Sequence, residues 1–206
     1  SGDGSAAECR SYFVTATKLK DLLMLEKTPL FTSDFDHKQF KGKILMITTT
    51  RHYLQYIQKT MKCLCEVLNH RPDVYLAIID NDSDATIGTY LETLKHPRID
   101  LNLLKINHGR AVAHNNYLYQ YVHSENQPNI IFSVDPDITF SIDDFDRLVD
   151  AVQNLPRIGM LSMRYVDNAC NPESRLYRNP RIMRGMNGQH YAVSIPSFSN
   201  VAGGVF

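Results

Sequence analysis

The residues best placed for chemistry are Asp135-Pro136-Asp137, which directly follow the run Asn129-Ile-Ile-Phe-Ser-Val134. That run is rich in β-branched and aromatic side chains and predicts a strand. Two carboxylates thus stand one residue apart at a strand end, and Pro136 fixes the backbone between them. Rigidly held oxygen ligands of this kind suit a hard divalent cation, Mg²⁺ or Mn²⁺, which keeps coordination positions open for phosphate oxygens. The Asp-x-Asp pattern recurs at Asp34/Asp36, Asp80/Asp82, Asp82/Asp84 and Asp144/Asp146, so spacing alone selects nothing and context decides. Asp34/Asp36 falls in an unpatterned stretch. Asp144/Asp146 falls in the first turn of a predicted helix, where the helix dipole favours acids without any further role.

Three further clusters stand at predicted strand ends. Thr48-Thr-Thr50 ends the first apolar run, Asp80-Asn81-Asp82-Ser83-Asp84 the second, and Asn107-His108-Gly109-Arg110 the third. The acid and amide groups of Asp80–Asp84 serve equally as a turn with a helix cap or as a reader of nucleobase and ribose. Gly109 permits close approach of backbone to a ligand. Arg110 and His114 lie one helical turn apart and share a face.

The elements that must position these groups alternate along the chain. Strands are predicted at 43–48, 73–79, 99–106, 129–134 and 157–162, and helices at 53–68, 85–94, 111–122 and 142–155. Strands alternating with helices of about ten residues or more predict an α/β domain, a mainly parallel sheet with helices on both faces. Ligands of such sheets bind at the carboxyl ends of the strands, where all four clusters fall. A further helix is expected over 10–27, within an N-terminal leader and helix (1–42) that precedes a single domain (43–206). Residues 164–190 lose periodicity and carry Arg164, Arg175, Arg178, Arg181 and Arg184. They read as a long loop, whose arginines would close over phosphates or face solvent.

Composition narrows the classes. The 206 residues hold 22 Lys+Arg and 22 Asp+Glu, with 43% apolar residues, an ordinary globular balance without the basic excess of a nucleic-acid binder. No apolar run approaches the ~18 residues of a membrane span. A cytoplasmic location is expected. Cys63 and Cys65 lie two apart in a predicted helix and cannot share a metal, and Cys9, Cys63, Cys65 and Cys170 form no Cys-x-x-Cys pair, so reduced thiols are expected rather than a zinc site.

Taken in order, these motifs resemble those of GT-A-fold glycosyltransferases, most similarly the inverting family 2 group. Ile47-Thr-Thr-Thr-Arg-His-Tyr53 resembles the family's first strand end, and Ile79-Asp-Asn-Asp-Ser-Asp84 its second. Asn107-His-Gly-Arg-Ala-Val-Ala-His-Asn115 resembles Asn-x-Gly-x-x-x-Ala-Arg-Asn, with His114 in place of the arginine. Phe132-Ser-Val-Asp-Pro-Asp137 resembles the metal motif, and Ala202-Gly-Gly-Val-Phe206 an acceptor-side glycine stretch. The resemblance covers about residues 43–206.

It implies a GT-A sheet and transfer of a sugar from a nucleoside-diphosphate donor, UDP for preference, to a glycan or glycoprotein. Thr48, Asp80, Asn81, Asp82, Asn107, Arg110, His114 and Asp135 would hold the nucleotide-sugar. Asp135 and Asp137 would hold Mn²⁺ or Mg²⁺, with His190 a candidate third ligand, and Gly203 and Gly204 would lie on the acceptor side. The general base of the family follows the glycine stretch, so it is expected beyond Phe206, with further domains after it. UDP is preferred because an acid–amide cluster pairs with the imide of a pyrimidine, and no aromatic residue stands at a strand end to stack a purine. The competing readings are a non-catalytic nucleotide-sugar or glycan-binding module and a nucleotidyltransferase. The latter lacks here its glycine- and arginine-rich phosphate loop, since that position reads Thr48-Thr-Thr-Arg-His52.

Overall fold

A computed structural model describes residues 15–18, 43–123, 127–156, 160–162 and 181–193. Its strands are β1 (Thr15–Lys18), β2 (Ile44–Thr50), β3 (Val74–Asn81), β4 (Ile99–Leu104), β5 (Ile130–Val134), β6 (Met160–Ser162), β7 (Arg181–Arg184) and β8 (His190–Val193). The helices are α1 (Leu54–His70), α2 (Ala85–Glu92), α3 (Arg110–Val122) and α4 (Ile142–Asn154).

Six strands form one sheet in the order β4-β3-β2-β5-β1-β6. The four on the β4 side pair in parallel, and β1 is antiparallel to both β5 and β6. This is the mainly parallel α/β sheet expected from the alternation of elements. The chain runs outward from β2 to β3 and β4, then returns to β5 on the other side of β2. Strand order therefore switches between β2 and β5.

Alternate side chains of each parallel strand enter opposite faces. Ile44, Met46, Leu76, Ile78, Ile130 and Phe132 pack with Ile57, Met61 and Leu64 of α1, Leu91 of α2, and Phe145 and Val149 of α4. Leu45, Ile47, Ala77, Ile79 and Ile131 pack with Ala113, Tyr117 and Tyr121 of α3. Burial on both faces explains why these strands read as continuous apolar runs. At about 25 cal/mol per Å², each fully buried Ile, Leu or Phe contributes roughly 1.5–3 kcal/mol. Helix ends are also specified locally. Ser141 and Asp144 form a capping box at the start of α4, and Arg98 donates to the Leu68, Arg71 and Val74 carbonyls below α1. Asp146 pairs with Arg71, so Asp144 and Asp146 are both in structural use. Among the described residues, no helix is long and apolar enough to cross a membrane, and Cys63 and Cys65 are free thiols.

Two expectations are corrected. Thr15–Lys18, placed in a helix and ahead of the domain by the sequence reading, forms a strand inside the sheet. The β-branched Thr15 and Thr17 favour that state, and the open edge of β5 supplies the partner that local propensity cannot anticipate. The stretch 164–190, read as one loop, contains the start of a β7–β8 hairpin. Its turn holds Asn187-Gly188, with Gly188 at φ 80°, and Asn-Gly is a strong hairpin signal.

Candidate functional site

A cavity of about 400 Å³ opens at the carboxyl ends of the parallel strands. Its walls are Thr49 and Thr50 of β2, Arg51, His52 and Tyr53 after it, Tyr56 of α1, Asn81 of β3, Asn107 and Gly109 before α3, Arg110, and Pro136 and Asp137 after β5. This is the switch point of the sheet, where open α/β folds bind ligands.

The floor is a hydrogen-bonded lattice between strand ends. Thr50 Oγ1 donates to Asp80 Oδ1 at 2.9 Å, and the Ser83 backbone N–H donates to Asp80 Oδ2 at 3.1 Å. The Ser83 hydroxyl also donates to Asp80. Asp80 is thus a buried acceptor that holds the β3–α2 turn. Asp82 occupies that turn at φ 64° with its side chain exposed, and Asp84 caps α2 by accepting from the Thr86 and Ile87 N–H groups. Within Asp80–Asp84 the turn-and-cap description accounts for Asp80 and Asp84 by direct contacts. Asn81 differs. It reaches the cavity, donates to Asn107 Oδ1 at 2.9 Å and accepts from the His108 N–H at 3.0 Å, which fixes the β4–α3 loop.

That loop ends at Gly109, which starts α3 at φ 79° without a side-chain cap. Only glycine adopts such a backbone freely. The start of α3 thus lies at the cavity wall without a side-chain cap, a favourable setting for an anion. Arg110 in the first turn pairs with Asp135. Partial burial lowers the Arg110 pKa, and the Asp137 charge opposes that shift. One guanidinium therefore faces both acids of the Asp-Pro-Asp segment.

His114 sits one turn deeper and is buried. Its Nδ1 lies 3.4 Å from Thr49 Oγ1 and its Nε2 3.3 Å from Ser133 Oγ. Desolvation, aided by the Arg110 charge, lowers its pKa to about 4, so it is a neutral brace between β2 and β5 at pH 7. It does not line the cavity, and the shared face with Arg110 seen in the sequence divides by depth.

The structure gathers Asn81, Asn107, Arg110 and Asp137 on the cavity wall, with Asp135 beside them through its ion pair. Asp80 and Asp135 end strands two spacings apart, about 10 Å. Thr48 is not on the wall. It is fully buried in β2, and its hydroxyl has no hydrogen-bond partner among the described residues; its neighbours Thr49 and Thr50 take the cavity-facing place. His190 and Arg184 pair in the β7–β8 hairpin. That hairpin is held at the far end of α4 by Met186 N–H to Asn154 O and Tyr191 Oη to Asp150 Oδ2. Among the described residues His190 joins no metal-binding group with these acids, and neither His190 nor Arg184 is on the cavity wall. Arg164, Arg175, Arg178, Gly203, Gly204 and the Asp34/Asp36 pair lie outside the described residues. Tyr53 and Tyr56, which are not among the sequence-predicted site residues, line the cavity with rings 6.1 Å apart and edge-to-face. Tyr53 is held at φ 64°, a costly conformation for an aromatic residue. The strained φ is set by how β2 enters α1 and leaves no signal in residue spacing.

Among the described residues, no group of three or more His, Cys, Asp or Glu converges. A cation held here would rely on the two carboxylates and on oxygens brought by its ligand, a donor set that fits Mg²⁺ or Mn²⁺.

No protein-family model matches the chain, and no curated protein matches it. Among solved structures it is similar to S. aureus TarS 1–349, at 14% identity and a TM-score of 0.48, over 67% of this chain and 40% of that one. It is also similar to the mannosyltransferase PcManGT from Pyrobaculum calidifontis in complex with GDP-Man and Mn²⁺, at 17% identity and a TM-score of 0.42, over 64% of this chain and 36% of that one. The chain thus spans well under half the length of either structure. Its own sheet, with the parallel β4-β3-β2-β5 core and antiparallel β1 beyond it, is a mainly parallel α/β arrangement.

Proposed function

We propose that this chain is the donor-binding part of a metal-dependent glycosyltransferase, moving a sugar from a nucleoside diphosphate to a glycan or glycoprotein hydroxyl. The observation that carries this reading is the convergence of Asp137, Arg110, Asn81 and Asn107 on one cavity at the strand-order switch. Breaking the sugar–phosphate bond leaves negative charge on a diphosphate, and a cation on Asp135 and Asp137 would supply Lewis-acid stabilisation of that charge. Arg110 and the start of α3 add positive potential on the same side. The Asn81–Asn107 pair presents amide groups to the base and ribose, and Tyr53 and Tyr56 offer aromatic faces.

UDP remains the proposed nucleotide, on hydrogen bonding alone. Aromatic faces at the cavity mean that stacking no longer argues against a purine. Of the acid–amide cluster, Asn81 is the member on the cavity wall and best placed to read a pyrimidine imide, because the Asp80 carboxylate is engaged by Thr50 and Ser83. Inversion at the sugar and the acceptor-side role of Gly203 and Gly204 belong to the same proposal.

One observation favours a second reading, a nucleotide-sugar-binding module without turnover. Asp137 is the only acid among the described residues on the cavity wall, and the proposal gives it to the cation, leaving no described carboxylate to act as base. Thermal shift with nucleoside diphosphates and nucleotide-sugars, with and without Mn²⁺, tests the shared claim. A ligand at 100 times its Kd adds about 2.7 kcal/mol of stability. Stabilisation by a UDP-sugar that requires Mn²⁺ is expected; no response to any nucleotide rejects both readings. Release of UDP on adding a glycan acceptor then separates enzyme from module.

A further inference from the structure

Arg110 and Asp135 form an ion pair in which the carboxylate side chain is 16% exposed and the guanidinium side chain 59%. The acid is therefore fixed and largely dry, while the cation is wet and can move by rotamer changes alone. Asp137 lines the same cavity as Arg110 and acts on its charge. Two carboxylates flanking one proline repel each other, and this guanidinium offsets that repulsion. A divalent ion on Asp135 would stand close to the same guanidinium, and the two cations would repel each other.

We propose that Arg110 is a displaceable counter-ion, holding Asp135 when the cation is absent and moving onto the donor's phosphates when a divalent cation takes the carboxylate. This rests on the donor-binding reading above. Phosphate oxygens are the natural destination, because a guanidinium binds them through two parallel N–H groups. Free cation must compete with Arg110, whereas cation arriving with a diphosphate gives Arg110 a new partner. Cation and nucleotide therefore promote each other's binding, reciprocally. His114 fixes the helix beneath Arg110 without adding charge, and Arg51, the other arginine on the wall, provides a comparison for the general field of the cavity.

The test is calorimetric titration of Mn²⁺ alone into the wild-type chain, Arg110→Gln, Arg110→Lys and Arg51→Gln, each checked for folding by circular dichroism. Arg110→Gln is expected to bind Mn²⁺ roughly fivefold tighter, the scale of one partly exposed ion pair. Arg51→Gln should tighten it less, and Arg110→Lys should stay near wild type. The same Arg110→Gln chain should bind UDP more weakly with Mn²⁺ saturating. Unchanged or weaker Mn²⁺ affinity in Arg110→Gln overturns the proposal, as does equal tightening in Arg51→Gln, which would reduce the effect to the general field. If Arg110→Gln does not fold, wild-type-like Mn²⁺ affinity in Arg110→Lys supports the proposal and a fall in it counts against it. A wild-type chain that binds neither Mn²⁺ nor UDP with Mn²⁺ rejects the donor-binding reading itself, and this inference with it.

Discussion

His114 Nε2 lies 3.3 Å from Ser133 Oγ, which ties the buried face of α3 to β5 two residues before Asp135. The same ring reaches Thr49 in β2, so one neutral imidazole spans the switch point. Hydroxyl groups suit it, since each can donate to one ring nitrogen or accept from the other.

This brace makes stability depend on pH. The folded His114 pKa is about 4, lowered by burial from the ordinary histidine value of 6.5. Between those values the unfolded chain binds the proton and the folded chain does not. Stability therefore falls as pH drops from about 6.5 toward 4, by on the order of 3 kcal/mol for this group. Urea unfolding at pH 7, 6, 5 and 4 should show His114→Gln losing much less over that interval than wild type. Parallel curves for the two proteins would contradict the assignment.

Asp84 and Asn81 separate cap from ligand contact. Asp84→Ala should cost about 1 kcal/mol of stability, the usual value of an N-cap, and leave nucleotide affinity unchanged. Asn81→Ala should lower nucleotide affinity, because it removes a cavity wall group and frees the loop that Asn81 holds through Asn107 and His108. Chemical denaturation and nucleotide titration of both variants check this; an affinity loss in Asp84→Ala would move the ligand onto that residue.

Base preference follows from the amide cluster. With Mn²⁺ present, UDP should raise the melting temperature more than GDP or ADP at equal concentration, since unpaired polar groups in a fitted site cost affinity. Greater stabilisation by GDP would reverse the base preference and leave the transferase reading in place.

Much of the positioning frame was legible in the sequence. Strands β2 to β5 and helices α1 to α4 follow the apolar runs and helical stripes closely, because both sheet faces are buried and the pattern is strong. Residues 15–18 were not legible, since a four-residue strand takes its state from the edge it joins. At β2 residue spacing does not show where the strand meets the cavity: Thr49 and Thr50, of opposite faces, both line it, while Thr48 lies one residue deeper and is buried. Arg110 and His114 show a different limit. Helical spacing puts them on one face, but whether a side chain reaches the cavity or stops beneath it depends on how α3 seats on Thr49 and Ser133.

Asp135 and Asp137 carry the proposed cation, and calorimetric titration of UDP with and without Mn²⁺ tests them most directly. Wild type should bind UDP far more tightly with Mn²⁺, and Asp137→Ala and the Asp135→Ala/Asp137→Ala double variant should lose that difference while remaining folded. Undiminished Mn²⁺-dependent binding in the double variant would contradict the account, and the same loss in Asp34→Ala would transfer the cation to the Asp34/Asp36 pair.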